Sequence, residues 1–99
     1  MAKVSYSEQA IADLEDVFAY TIATFGEAQA QKYRDALEGG FERIADDPRL
    51  GRPIAGRTHT FSYYVCERDT IFYTNTDGGG IFIVRNLHVA MDFMRHFPE

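Results

Sequence analysis

The sequence predicts an α+β fold of two layers, a hairpin of two helices laid on one face of a mostly antiparallel sheet. Two apolar sets at helical spacing fill the first half of the chain, and β-forming residues dominate from Phe61 onward. A chain of 99 residues holds one core and not two, so residues 1–99 are expected to form a single domain. Hydrophobic residues make up 45% and charged residues 25%, enough apolar material for a packed core and too much for a disordered chain.

Residues 1–5 supply a short edge strand. Ser7 stands where an N-cap accepts from the first free backbone amides, and Ile11, Leu14, Val17, Phe18, Ile22 and Phe25 predict a first helix over 8–24. Gly26 interrupts the pattern. Ala30, Tyr33, Leu37, Phe41 and Ile44 then predict a second helix ending before Asp46-Asp47-Pro48, where proline disfavours helix in the residue before it. The short link makes the pair an antiparallel hairpin. Gly39-Gly40 inside the second helix costs about 1 kcal/mol per glycine relative to alanine. Close approach of a facing backbone would offset that cost; a kink or fraying is the other reading.

Residues 48–59 are rich in Gly, Pro and Arg, lack periodicity and are predicted as loop; with Arg49, Arg52 and Arg57 they form the one strongly basic stretch. Strands follow over 61–66, 70–74 and 80–87, separated by Glu67-Arg68-Asp69 and by the turn formers Asp77-Gly78-Gly79, which gives a three-stranded antiparallel meander. The last strand is apolar on both alternating sets, Ile81, Ile83 and Leu87 on one side and Phe82 and Val84 on the other. One face packs on the helices. The other calls for cover from residues 89–97 or from a partner chain.

Composition narrows the function classes. The apolar runs are far short of the roughly 20 residues that cross a bilayer, and the N-terminus lacks the apolar core of a signal peptide, so no membrane partner is expected and the cytoplasm is the expected location. Cys66 is the single cysteine, which excludes an internal disulfide and a multi-cysteine zinc site. The net charge of −5 weighs against a polyanion as the main ligand. Gly78-Gly79-Gly80 lacks the Lys-Ser/Thr of a phosphate loop. His88, Asp92 and His96 would share a face only on one helix, and His88 closes a strand, so neither metal nor cofactor is expected. The six tyrosines, without basic residues interleaved, suit packing and interface rims better than base stacking.

Several stretches together resemble the ParE branch of the RelE/ParE toxin superfamily. They are Ala10-Ile11-Ala12-Asp13-Leu14, then Gly26 and Ala30-Gln31-Lys32-Tyr33, Pro48-Arg49-Leu50-Gly51-Arg52-Pro53, Ile71-Phe72-Tyr73, Val84-Arg85-Asn86-Leu87-His88 and Met91-Asp92. They occur in the family's order and cover nearly the whole chain. The chain departs from the pattern at Arg57-Thr58-His59-Thr60-Phe61-Ser62, where the family has a Leu-Arg pair and a further arginine, and at Asn86, where valine is usual.

The resemblance implies the toxin of a type II toxin-antitoxin pair that poisons DNA gyrase. It also implies a ParD-like ribbon-helix-helix antitoxin, so that operator DNA is met only through that partner. Arg52, Arg57, Arg85, His88, Met91 and Asp92 are the expected target contacts. The apolar surface that the chain leaves uncovered is expected to take a disordered antitoxin tail, with Leu14, Phe18, Tyr33, Leu37, Phe82 and Val84 as its contacts. The sister branch, resembling RelE, cuts messenger RNA on the ribosome; Arg57, His59, Tyr73, Arg85 and His88 are the catalytic candidates on that alternative. Arg85 and His88, three apart on a strand, would point to opposite faces in regular pleat. A third possibility is a member without toxicity that binds its antitoxin and serves only as a co-repressor.

Overall fold

The computed structural model describes residues 3–55 and 60–88. In chain order the elements are β1 (Val4–Tyr6), α1 (Glu8–Phe25), α2 (Glu27–Asp46), a single 3-10 turn (Pro48–Leu50), β2 (Arg52–Ala55), β3 (Thr60–Cys66), β4 (Asp69–Asn75) and β5 (Ile81–His88). The strands form one sheet in the order β1-β5-β4-β3-β2. β3, β4 and β5 are the predicted antiparallel meander. β1 pairs parallel to β5, so the sheet is mixed. Among the described residues no helix is long and apolar enough to cross a membrane.

Ser7 begins α1 and ties it to the sheet. Its Oγ accepts from the Ala10 amide at 2.9 Å and donates to the Val84 carbonyl at 2.7 Å, while its own amide donates to Ile83 at 2.9 Å. Gly26 ends α1 at φ 92°, a backbone region open to glycine, and α2 starts at the next residue. α2 runs unbroken through Gly39-Gly40. A Cβ at Gly40 would lie 2.7 Å from Cys66 Sγ, so the approach that requires glycine there comes from a β3 side chain and not from a facing backbone.

The stretch over 48–59 is not all loop. Pro48–Leu50 makes the 3-10 turn, and Arg52–Ala55 adds an edge strand antiparallel to β3, with Pro53 opposite Ser62. Proline is tolerated at a sheet edge, where a backbone donor is dispensable, and for that reason it did not mark the segment as a strand. Between turn and strand, Gly51 donates its amide to Tyr73 Oη at 2.9 Å, and the same hydroxyl donates to the Pro48 carbonyl at 2.7 Å. A Cβ at Gly51 would collide with that phenol.

The core between helices and sheet gathers Ala10, Leu37, Phe41, Ile44, Cys66, Ile71, Tyr73, Ile81 and Ile83. β4 and β5 slip by one residue: Phe72 faces Arg85 but Tyr73 faces Ile83, which leaves Val84 without an opposite number. Leu87 lies opposite Thr70 and Ile83 opposite Tyr73. Thr70 and Tyr73 are three apart on a regular strand, so Leu87 and Ile83 belong to opposite faces. The expectation that Ile81, Ile83 and Leu87 share a face is thereby corrected.

Gly51→Ala is expected to lower unfolding free energy by about 1–3 kcal/mol, because the added carbon drives Tyr73 off two hydrogen bonds in a filled site. Urea denaturation of the two proteins checks it; an unchanged midpoint would mean the turn yields at no cost.

Candidate functional site

Two features of α1 define the surface and the interior of the candidate site. The row facing the sheet is Ala10, Asp13, Val17 and Thr21, all buried. It includes a carboxylate, which is costly in an apolar layer unless paired. Arg85 Nε donates to Asp13 Oδ2 at 2.8 Å and Arg85 Nη2 to Asp13 Oδ1 at 2.9 Å, and the Asn86 amide adds a third bond to Oδ2 at 3.0 Å. This is the fork-to-fork geometry that suits guanidinium and carboxylate.

Asn86 extends the cluster. Its Nδ2 donates to Asp69 Oδ2, and Tyr33 Oη donates to Asp69 Oδ1 at 2.6 Å. Asn86 Oδ1 is buried with no hydrogen-bond partner among the described residues. Burial pushes the Asp69 carboxyl above the usual carboxylate range, against the pull of the bonds from Tyr33 and Asn86, while the Asp13 charge pushes the same way as burial. Burial, and then the bond to Asp69, raises the Tyr33 phenol.

The other face of α1 carries its large apolar residues outward: Ile11 is 47% exposed, Ile22 47% and Phe25 63%. Ile11 and Ile22, with Leu14 and Phe18, border a crevice between α1 and α2, and the α2 side is formed by Ala30, Arg34, Leu37 and Phe41. Arg34 lies across it, Cζ 5.1 Å from the Phe18 ring centroid. Tyr6 closes one end, packed edge-on against Phe41 with ring centroids 5.6 Å apart. A separate cavity of about 530 Å³ lies beyond the other end of the hairpin, bordered by Tyr20, Phe25, Gln29, Tyr33, Arg68 and His88.

The sequence-predicted residues fall in different places. Leu14 and Phe18 border the crevice, and Leu37 reaches it from below as a fully buried core residue. Tyr33 points to the polar cluster instead. Phe82 lies opposite Thr74 and Val84 at the slip, each half-buried. The six expected antitoxin contacts therefore do not make one surface.

Of the expected target contacts, Arg52 is exposed on the edge strand β2, and His88 is half-buried with its ring 5.8 Å from that of Tyr20. Arg85 is only 8% exposed and turned inward to Asp13. Arg57, His59, Met91 and Asp92 lie outside the described residues. Tyr73, a catalytic candidate on the nuclease reading, is fully buried and holds the turn at Gly51. Residues that sequence reasoning did not assign to the site are Glu15, Arg34 and Glu38, on the rim of the crevice. Their signal was the helical spacing they share with Ile11, Leu14 and Leu37.

A family model described as "ParE toxin of type II toxin-antitoxin system, parDE" matches residues 4–93. The chain is similar to Toxin ParE1 of Mycobacterium tuberculosis, 33% identical over 90 residues, which is 91% of this chain and 92% of that protein. Toxin ParE1 of Caulobacter vibrioides is 30% identical over 90 residues, with the same coverage of 91% and 92%. The fold is similar to that of a chain in the chromosomal ParDE TA system from P. aeruginosa, with a TM-score of 0.71 at 16% identity, covering 89% of this chain and 96% of that one.

Two outcomes are expected from the buried cluster. Arg85→Ala leaves Asp13 as an unpaired buried charge and lowers stability by about 3–5 kcal/mol, read from urea unfolding; a loss below about 1 kcal/mol would mean water reaches the carboxylate. Asp69→Asn tests the raised carboxyl. A raised folded-state pKa contributes stability below the unfolded value of about 3.9, lost as pH rises through the folded value. At pH 7 the wild type therefore carries a penalty that the amide lacks. The variant should melt higher than wild type at pH 7 and approach it near pH 3; a lower melting temperature at pH 7 would show that the charge-assisted bonds outweigh burial.

Proposed function

The chain belongs to the ParE toxin family of type II toxin-antitoxin systems, and from that premise we propose that it inhibits DNA gyrase by binding, without chemistry of its own, until a cognate antitoxin covers it. The antitoxin on this reading is a ParD-like ribbon-helix-helix protein, and the complex meets operator DNA through that partner. The docking segment lies in the crevice between α1 and α2, over Ile11, Leu14, Phe18 and Ile22. All of this takes place in the cytoplasm, without a membrane partner.

The observation that carries the binding reading is the use already made of Arg85 and Tyr73. Cleavage of RNA by attack of a 2′-hydroxyl needs cations on the phosphoryl oxygens and groups free to move protons. Arg85 gives two donors to Asp13, and Tyr73 spends its hydroxyl on Pro48 and Gly51. The net charge of −5 also disfavours a grip on ribosomal RNA. On the target side the reading keeps Arg52, together with Arg57, His88, Met91 and Asp92. Arg85 is reassigned to holding α1 on the sheet.

The purified chain added to a gyrase supercoiling reaction is expected to stop supercoiling and accumulate cleaved DNA, while a parallel translation extract runs normally. Blocked translation with cut messenger would move the protein to the nuclease alternative. Silence in both would leave an antitoxin-binding co-repressor.

A further inference from the structure

Ile11, Leu14, Phe18 and Ile22 on α1 recur every three or four residues with Glu15 beside Leu14, and Ala30, Arg34, Leu37 and Phe41 on α2 do so with Glu38 beside Leu37, so each set lines one edge of the crevice. From Ile11 to Ile22 the crevice runs about 16 Å at the rise of a helix. The contact of Arg34 with Phe18 divides it into two chambers of about 280 and 290 Å³, each bordered by both residues.

The rim carries three carboxylates, Glu15, Glu27 and Glu38, against one cation, Arg34. Among the described residues the ion pairs are Arg49 with Asp47 and Arg85 with Asp13. Arg34 stands one turn before Glu38 yet lies over the Phe18 ring, and the exposed Glu15 and Glu38 have no cation within ion-pair distance among the described residues. After burial, the charges of Glu38 and Glu42 are what raise the Tyr6 phenol at the end of the same chamber. An apolar floor thus sits inside a rim of net negative charge, Arg34 included. A segment bearing carboxylates would be repelled there, and a wholly apolar one would strip water from Glu15 and Glu38 without replacing it.

We propose that Glu15 and Glu38 set the charge of the partner, and that the segment seated in this crevice is a basic amphipathic one, with one apolar anchor on each side of Arg34 and lysine or arginine beside the two glutamates. This rests on the crevice being the antitoxin's seat and specifies what that seat accepts. Specificity among related pairs then comes from repulsion at the rim as much as from fit on the floor.

Two designed helical peptides of roughly eighteen residues, identical in a leucine face and flanked by lysine in one and glutamate in the other, are titrated into the full chain by fluorescence anisotropy. The lysine peptide is expected to bind about tenfold tighter at low salt, with the gap narrowing as salt rises. E15K/E38K should reverse the order. D16K/D35K, the same change in net charge outside the crevice, should leave it, and Ile11→Asp should weaken both peptides; circular dichroism checks that each variant is folded.

Equal affinities that still depend on Ile11 would overturn the charge rule and leave the crevice as a docking seat. A reversal by D16K/D35K as large as that by E15K/E38K would show a general charge effect and overturn it too. Failure of both peptides, or indifference to Ile11→Asp, would remove the seat itself.

Discussion

The bond between Asp13 and Arg85 is the constraint on which the placement of helix and sheet depends. A carboxylate in the sheet-facing row of α1 tolerates one arrangement, that in which donors meet both its oxygens. β5 supplies them from consecutive residues, the Arg85 side chain and the Asn86 amide, and the slip at Val84 separates them from the regular apolar alternation of Ile81 and Ile83. Apolar residues in place of both partners would stabilise a core of this size about as well. Breaking the pair by moving α1 would leave a buried charge without its partner, so the cost falls on departures from this register more than the pair adds to net stability.

That constraint shapes the outer surface. With Ala10, Asp13, Val17 and Thr21 against the sheet, the large apolar residues of α1 occupy the neighbouring rows of the helix. Leu14 and Phe18 pack partly on the core, whereas Ile11, Ile22 and Phe25 meet solvent. α2 spends its apolar face on the sheet through Leu37, Phe41 and Ile44 and offers the crevice Ala30 and the edges of Leu37 and Phe41, with Arg34 above. The helical hairpin is thus complete toward the sheet and leaves large apolar side chains toward solvent, the surface that the proposed antitoxin seat would cover.

The helices and the meander were legible because their signals are periodic and local. β2 was not, since it is short, carries Pro53 and exists only because β3 has an open edge to pair with. The parallel pairing of β1 with β5 left one trace, Gly80, where a side chain would strike the Lys3 carbonyl. The slip at Val84 left none, so counting by two put Leu87 on the wrong face. In the candidate site, Leu14 and Phe18 could be read from spacing alone. Arg85 looked like a contact because apolar residues flank it, and an internal ion pair produces the same pattern; the deciding residue, Asp13, lies 72 positions away. Two charges of opposite sign, each set in an apolar row, were the available clue.

The stretches that carry the family likeness have a common use in this chain. Asp13, Gly51, Tyr73 and Arg85 each make bonds that close the fold on itself. The residues turned toward solvent around the crevice, Ile11, Glu15, Arg34 and Glu38, fall on the next rows of the same two helices. A helix that fixes its inner row by a buried charge can change its outer row without moving, because the two rows share a backbone and little else. On the proposed reading, binding partners would be told apart by rim residues while the scaffold stays the same, whereas a catalytic centre built from Arg85 and Tyr73 would have to take the fold apart to free them.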